Sequence, residues 1–382
     1  MTNEILKRGA GGVSSTGFVW HEKYMWHDTG SALGVLPADG QFQPWIHFEN
    51  PETKRRLKNL LDAYQYTDKL VPIAPSPASE AQLLRVHTAE YIDRIKTMSA
   101  DQGGNAGELT PFGPGSYEIA QLAAGGCIEA CNAVLNGKVD NAYALIRPCG
   151  HHAEADRGRG FCIFSNIAIA IRDLLSTSKV SRIAVVDWDV HHGNGTESAF
   201  YEEANILTIS LHEDSLYPYN SGSLHDCGNG AGVGFNINIP LPPGSGGGAY
   251  NSAMERVVLP ALELFQPEFI LVASGLDGST WDPLGHMMLL STHYKSMTEQ
   301  LLDAADRYCE GRLVVCHEGG YSAGYVPFCG AGIIEALAGE DSGIIDPFAK
   351  YESKWQALQP NQDEMIKEVE TVALGALRDG LN

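Results

Sequence analysis

Residues 183–195 read IAVVDWDVHHGNG: four apolar residues, two aspartates one apart, two adjacent histidines and a glycine turn. A short, uninterrupted apolar run rich in β-branched residues is the pattern of a parallel strand buried on both faces. Three other stretches repeat the design: LIRPCGHHAE at 145–154, FILVASGLDGSTWDPLG at 269–285 and LVVCHEGGY at 313–321. Each apolar run ends in polar residues of catalytic type: Asp187, Asp189, His191 and His192 on the first, His151 and His152, then Asp277, then Tyr321. Open parallel sheets bind ligands beyond the carboxyl ends of their strands, so the four ends are expected to meet in one crevice.

Working outward, strands are expected at 142–146, 183–186, 206–210, 235–239, 269–273 and 313–316. Helical spacing fills the gaps near 165–177, 249–266, 292–309 and 326–338. Strands interleaved with helices predict an α/β fold with a parallel sheet and right-handed crossovers. Upstream, leucines and charges alternate with helical period at 52–63 and 79–99, and Gly and Pro mark 100–115 as a loop. Ser116 reads as the N-cap of a helix running to Leu135, and a last helix is expected near 362–378. Residues 1–50 look irregular, and no linker splits 50–340. One domain over 1–382 is therefore expected, with a core of about 17–340 on which the N-terminal segment and C-terminal tail pack.

Among the 382 residues, 26 Lys and Arg face 47 Asp and Glu, a formal charge of −21, and 44% are hydrophobic. The apolar content excludes intrinsic disorder. The acidity argues against nucleic-acid and anionic-membrane partners, and it attracts cationic small molecules or basic peptides. No apolar run reaches ~18 residues, the length a spanning helix needs. The opening MTNEILKRGAGGVSSTG lacks a signal-peptide core, and the eight cysteines form no CxxC pair, so a reducing cytoplasm is expected. Cys127 and Cys131 can share a helix face.

In an extended segment, residues two apart point the same way, so Asp189 and His191 can offer an oxygen and a nitrogen to one ion. Asp277 would supply a third ligand and leave room for water, the pattern of catalytic zinc; iron(II) or cobalt(II) also suits such a set, and a metal-free Asp–His network is the bland alternative. Hydrolysis at a carbonyl also needs a base for water and an acid for the leaving amine, for which His151 and His152 are candidates. Asp187 can orient one of the pair and Asn194 the other, and the Tyr321 hydroxyl can donate to a tetrahedral oxyanion. The GSGGG at 244–248 has no GK[ST] behind it, and no GxSxG elbow is present.

Together, RPCGHHA (147–153), GFCIFSN (160–166), VVDWDVHHGNGT (185–196), TISLH (208–212), SGLD…DPLG (274–285) and EGGY (318–321) resemble the zinc-dependent histone deacetylases, especially class II and its bacterial amidohydrolase relatives. The resemblance implies the arginase–deacetylase fold, with a central parallel sheet of about eight strands between helices. It implies removal of acetyl groups from lysine side chains or similar acylated amines, with zinc held by Asp189, His191 and Asp277. His151 and His152 would serve as the acid/base pair, Asp187 would support His151, and Tyr321 would polarise the carbonyl. It further implies potassium at Asp187, Asp189, His191, Ser210 and Leu211, and less directly an outer ion at Phe200, Glu203, Ile206 and Gly234. Phe161 and Tyr217 match the walls of an acyl-lysine tunnel and Leu284 its floor, with Gly160 and Gly320 counted among the substrate-binding positions. Asn194 stands where class I has Asp. Trp281 is expected to narrow or cap the entrance, and Glu154, Asp156, Arg157 and Arg159 to sit near the mouth. An acetylpolyamine amidohydrolase is the first alternative. A two-metal ureohydrolase, which would lack a ligand because Ser279 stands two residues after Asp277, and an inactive acyl-lysine-binding module are more remote. A homo-oligomer, dimer or tetramer, is expected.

Overall fold

The computed structural model describes residues 14–38, 40–177, 179–352 and 354–382; residues 1–13, expected to pack irregularly on the core, lie outside the described residues. Eight strands form one parallel sheet: β1 (Thr16–Val19), β2 (Val71–Ile73), β3 (Asn141–Ala144), β4 (Ile183–Asp187), β5 (Ile206–Glu213), β6 (Asn236–Leu241), β7 (Phe269–Ser274) and β8 (Leu313–His317). The spatial order is β6-β5-β4-β7-β8-β3-β1-β2, every neighbouring pair being parallel. All six expected strands are present. Two were not legible: β1 lies in the stretch read as irregular, and β2 is a three-residue, largely exposed edge strand containing Pro72. Proline has no N–H to give a ladder, which suits it to an edge.

Helices cover both faces: α1 (Glu52–Ala63), α2 (Ser116–Leu135), α3 (Asn166–Ser176), α4 (Ser291–Tyr308), α5 (Val326–Ala338) and α6 (Pro360–Leu381). Side chains alternate across the sheet, so β4 sends Ala184 and Val186 into one apolar cluster and Ile183 and Val185 into the other. Three expectations need correction. The helix read over 79–99 is two, Glu80–Leu83 and Ala89–Ala100, because Ser79 and Thr88 each cap a new first turn through side-chain oxygens. The helix over 249–266 carries a π-turn at Met254–Val258 between its α segments. Ser116 is not an N-cap: Gly115, at φ 76°, holds that position, and Ser116 Oγ lies 2.9 Å from His27 Nδ1.

The strand order places the site. From β4 the chain builds outward through β5 to β6; it then returns to β7 on the other flank of β4 and continues to β8. The β4–β7 border is thus the point where the winding reverses, and there the carboxyl ends open a crevice that no crossover covers. Asp187 pairs in register with Ser210 of β5 and Ala273 of β7.

Candidate active site

The segment after β4 leaves the sheet with Trp188 and Val190 in the apolar core. Asp189 and His191 therefore face the crevice. His191 Nδ1 lies 3.0 Å from Asp189 Oδ1 and 3.2 Å from Asp277 Oδ2, Asp277 arriving from just beyond β7. Donor atoms of Asp189, His191 and Asp277 lie within 4.8 Å of one another, and all three residues are buried. Burial, with Asp189 alongside, pushes the Asp277 carboxyl up to about 6. Two carboxylates and an imidazole crowded into a dry pocket form an arrangement that a cation completes, so the residues present fit the implied ion.

The backbone is shaped around these carboxylates. Gly319 N donates to Asp189 Oδ2 at 2.9 Å, and Val190 N donates to Asp277 Oδ1 at 2.8 Å. A Cβ at Gly319 would meet Asp277 Oδ2 at 2.1 Å, and one at Gly275 would meet Asp189 Oδ2 at the same distance. The glycines of EGGY and SGLD are thus required by close approach of backbone to the acidic pair.

His151 and His152 sit side by side, with ring centroids 3.9 Å apart, both buried. His151 Nδ1 lies 2.9 Å from Asp187 Oδ2, and His152 Nδ1 lies 2.8 Å from Asn194 Oδ1. Burial alone would depress His151, but Asp189 and Asp187 outweigh it and hold the ring well above the usual histidine range. Burial depresses His152 as well, and its neighbours His151 and His191 push it further down. The two rings are thus pushed in opposite directions, a divergence of the kind that acid–base pairs use. The amide of Asn194 is oriented by Glu154, whose Oε1 accepts from Nδ2 at 2.8 Å, so its oxygen is left for the His152 Nδ1–H.

A cavity of about 180 Å³ opens over this group, lined by His152, Gly160, Phe161, His191, Tyr217, Leu284 and Tyr321 among others. The Tyr217 ring stands 5.1 Å from that of His152, and the Phe161 ring stands 5.7 Å from that of Tyr321. Burial holds the Tyr321 phenol well above its ordinary value, so it stays a donor. Its loop is anchored by Asp282, whose Oδ2 accepts from Tyr321 N at 2.7 Å and Ser322 N at 3.2 Å.

The sequence-derived set is thus largely assembled in one place, with exceptions. Gly320 is not among the lining residues; at φ 118° it serves the turn that turns Tyr321 inward. Trp281 does not narrow the entrance, because its ring packs on Tyr325, Phe348 and Tyr351 instead. Of the charges expected at the mouth, Arg159 bridges Glu108 and Glu154 and lies over the Tyr217 ring, while Arg157 pairs with Glu154. Ser210 Oγ is 2.9 Å from His212 Nδ1, and Leu211 is buried in β5. At the outer-ion positions, Glu203 is already neutralised by Arg172, whose guanidinium stacks on Phe200. Glu154, Asp282, Gly275 and Gly319 were missed in these roles. Each lies inside or beside a quoted motif, but its partner is far away in sequence.

Fold and site together define a hydrolase whose catalytic-type groups gather at the carboxyl ends of a parallel sheet. The histone deacetylase domain family matches residues 47–337. A histone deacetylase-like amidohydrolase of Pseudomonas aeruginosa is 48% identical over 339 residues, covering 88% of this chain and 89% of that protein. A probable deacetylase of Archaeoglobus fulgidus is 38% identical over 339 residues, 87% of this chain and 89% of that one. The crystal structure of the HDA15 HD domain superposes with a TM-score of 0.84 at 29% identity, covering 96% of both chains. This chain belongs to the histone deacetylase family and is an amide hydrolase of deacetylase type.

Proposed function

We propose that the protein removes acetyl or other short acyl groups from lysine side chains or similar primary amines. The observation that carries this reading is the convergence of the Asp189–His191–Asp277 cluster, the divergent His151/His152 pair and Tyr321 on one apolar-walled cavity. Asp189, His191 and Asp277 would hold zinc, which when bound would supply a Lewis acid for the carbonyl and for water.

The chain's own residues do the rest. The neutral His152, with Nδ1 engaged by Asn194, presents Nε2 to take a proton from water. The His151 imidazolium, steadied by Asp187, keeps positive charge beside the reacting carbonyl and holds a proton available to the departing amine. Tyr321 donates to the oxygen that becomes negative, and Phe161, Leu284 and the ring of Tyr217 enclose a methylene stem. Asp187 and Ser210 border a void of about 10 Å³, room for roughly one small ion or water, which supports the potassium reading at those two residues; Leu211 does not line it. Arg172 at the outer positions argues against a second such ion.

The excess of 21 negative charges favours cationic substrates over nucleic acid or an anionic surface, and no helix among the described residues is long and apolar enough to cross a membrane. All eight cysteines are free thiols, which supports a reducing, cytoplasmic setting. Self-association is supported by exposed Trp26, Leu33, Trp45, Ile46 and Tyr219.

The test is acetate release from acetyl-lysine peptides, acetylputrescine and acetylcadaverine at fixed zinc, with Asp189→Ala as control. Acetyl-lysine peptides should be hydrolysed and the variant should lose both zinc and activity. Preference for the acetylated diamines would turn the assignment to acetylpolyamines. No turnover of any arm, with substrate still bound, would leave a binding module.

A further inference from the structure

Behind the cavity wall lies a second cluster of metal-ligating side chains that the hydrolytic reading does not use. Cys149, Cys162 and Glu318 are all buried, and their donor atoms lie within 4.8 Å of one another. The two sulfurs are 3.4 Å apart, and the Gly160 carbonyl oxygen faces both, 3.4 Å from Cys162 Sγ and 4.0 Å from Cys149 Sγ. Glu318 is fully buried. Its Oε2 accepts from Gly150 N and His151 N, whereas its Oε1 has no hydrogen-bond partner. An orphaned carboxylate oxygen at zero exposure costs free energy unless something satisfies it. Around a tetrahedral thiophilic ion with metal–sulfur bonds of about 2.3 Å, two sulfurs stand roughly 3.7 Å apart. The observed spacing is therefore near that of a shared cation, with a carboxylate and a carbonyl to complete four donors.

We propose that Cys149, Cys162 and Glu318, with the Gly160 carbonyl, form a second cation site that selects soft d10 divalent ions such as cadmium or zinc. It is chemically distinct from the all N/O Asp189–His191–Asp277 site, which has no sulfur. Binding forms two metal–sulfur bonds and one metal–oxygen bond, and it releases to solvent the two thiol protons and the proton that burial, raising Glu318 to about 8, keeps on its carboxyl near neutrality. The cysteines pack with Phe161 and Tyr321, which wall the acyl cavity, and His152 N donates to Cys162 Sγ at 3.5 Å. Occupancy is therefore felt at the inner wall of the catalytic site.

The full chain carrying one equivalent of zinc is titrated with cadmium chloride, following thiolate-to-cadmium charge-transfer absorption and bound cadmium by equilibrium dialysis. That absorption cannot arise from Asp189, His191 and Asp277, so the readout is independent of deacetylase activity. One cadmium with the absorption band is expected. Cys149→Ser should lose the band, Glu318→Gln should weaken binding at least tenfold, and Cys127→Ser should keep it, although Cys127 packs with Cys131 and Cys316 in the other buried thiol group. Cadmium should also raise the unfolding temperature of the wild type and not of Cys149→Ser, which separates loss of the site from misfolding. Absence of the band, its survival in Cys149→Ser or its loss in Cys127→Ser would overturn the proposal. So would a Cys149–Cys162 disulfide in untreated enzyme.

Discussion

Tyr321 shows how a single residue acquires its role here. Nothing about a tyrosine after two glycines suits it to the oxyanion-donor role proposed for it; the Asp282 carboxylate gripping its N–H and burial of the phenol do. Tyr321→Phe keeps the ring that packs on Phe161 and removes only the hydroxyl. It is expected to lower kcat by about 10²–10³-fold, as loss of one such donor does elsewhere, with zinc content unchanged. Steady-state kinetics beside metal analysis check this. His87 illustrates a residue tuned by burial. Its Nε2 accepts from Ser165 N at 3.0 Å, so the ring must be neutral, and burial lowers it to about 4. The unfolded chain, with histidine near 6.5, binds the proton more readily, so stability is full above about pH 6.5 and falls as pH drops toward 4. Between pH 7 and 4 this amounts to roughly 3 kcal/mol. Urea unfolding of wild type and His87→Gln across that range should show the shallower slope in the variant.

At the scale of elements, the motif after β3 is anchored from a distant part of the chain. Arg147 is fully buried; it donates to both carboxylate oxygens of Glu49 and, through Nη1, to the carbonyls of Tyr24 and His27. One side chain thus fastens the segment before α1 to the chain that carries His151 and His152. Burial would raise the Glu49 carboxyl, but Arg147 and Lys54 outweigh it and hold it well below the usual range. Glu49→Gln leaves a buried guanidinium without its counter-charge and is expected to cost about 3–5 kcal/mol, read as a fall in the urea midpoint. β4, β7 and β8 could be seen in advance as nearly continuous apolar runs, and β3, β5 and β6 through their β-branched and aromatic residues; every residue of the six is buried. β1 and β2 escaped notice because TGFV and VPI are short and carry a glycine and a proline, and pairing with β3 and with each other makes them strands.

For the whole molecule, a charge of −21 coexists with exposed apolar residues concentrated in Trp26–Ile46: Trp26 at 66%, Trp45 at 67% and Ile46 at 60%. Val35 from the same region lines the cavity, so this surface adjoins the mouth. On the proposed self-association, the wild type should sediment above the mass of one chain, and Trp45→Glu combined with Ile46→Glu should bring it down to that mass; an unchanged mass would remove this face as the interface. What the sequence by itself determined is local: apolar runs long enough to be strands, glycine turns, and the Asp, His and Tyr placed just beyond them. Those follow from periodicity and backbone chemistry, which act within a few residues. The tertiary structure decided which groups meet. The strand order set β4 beside β7, and so Asp189 and His191 against Asp277. It also gave His152 its Asn194, Asn194 its Glu154 and Cys149 its Cys162, and it took Trp281 away from the entrance. Such pairings depend on long-range packing that no local pattern records, since the free energy of burying a polar group depends on the partner waiting there.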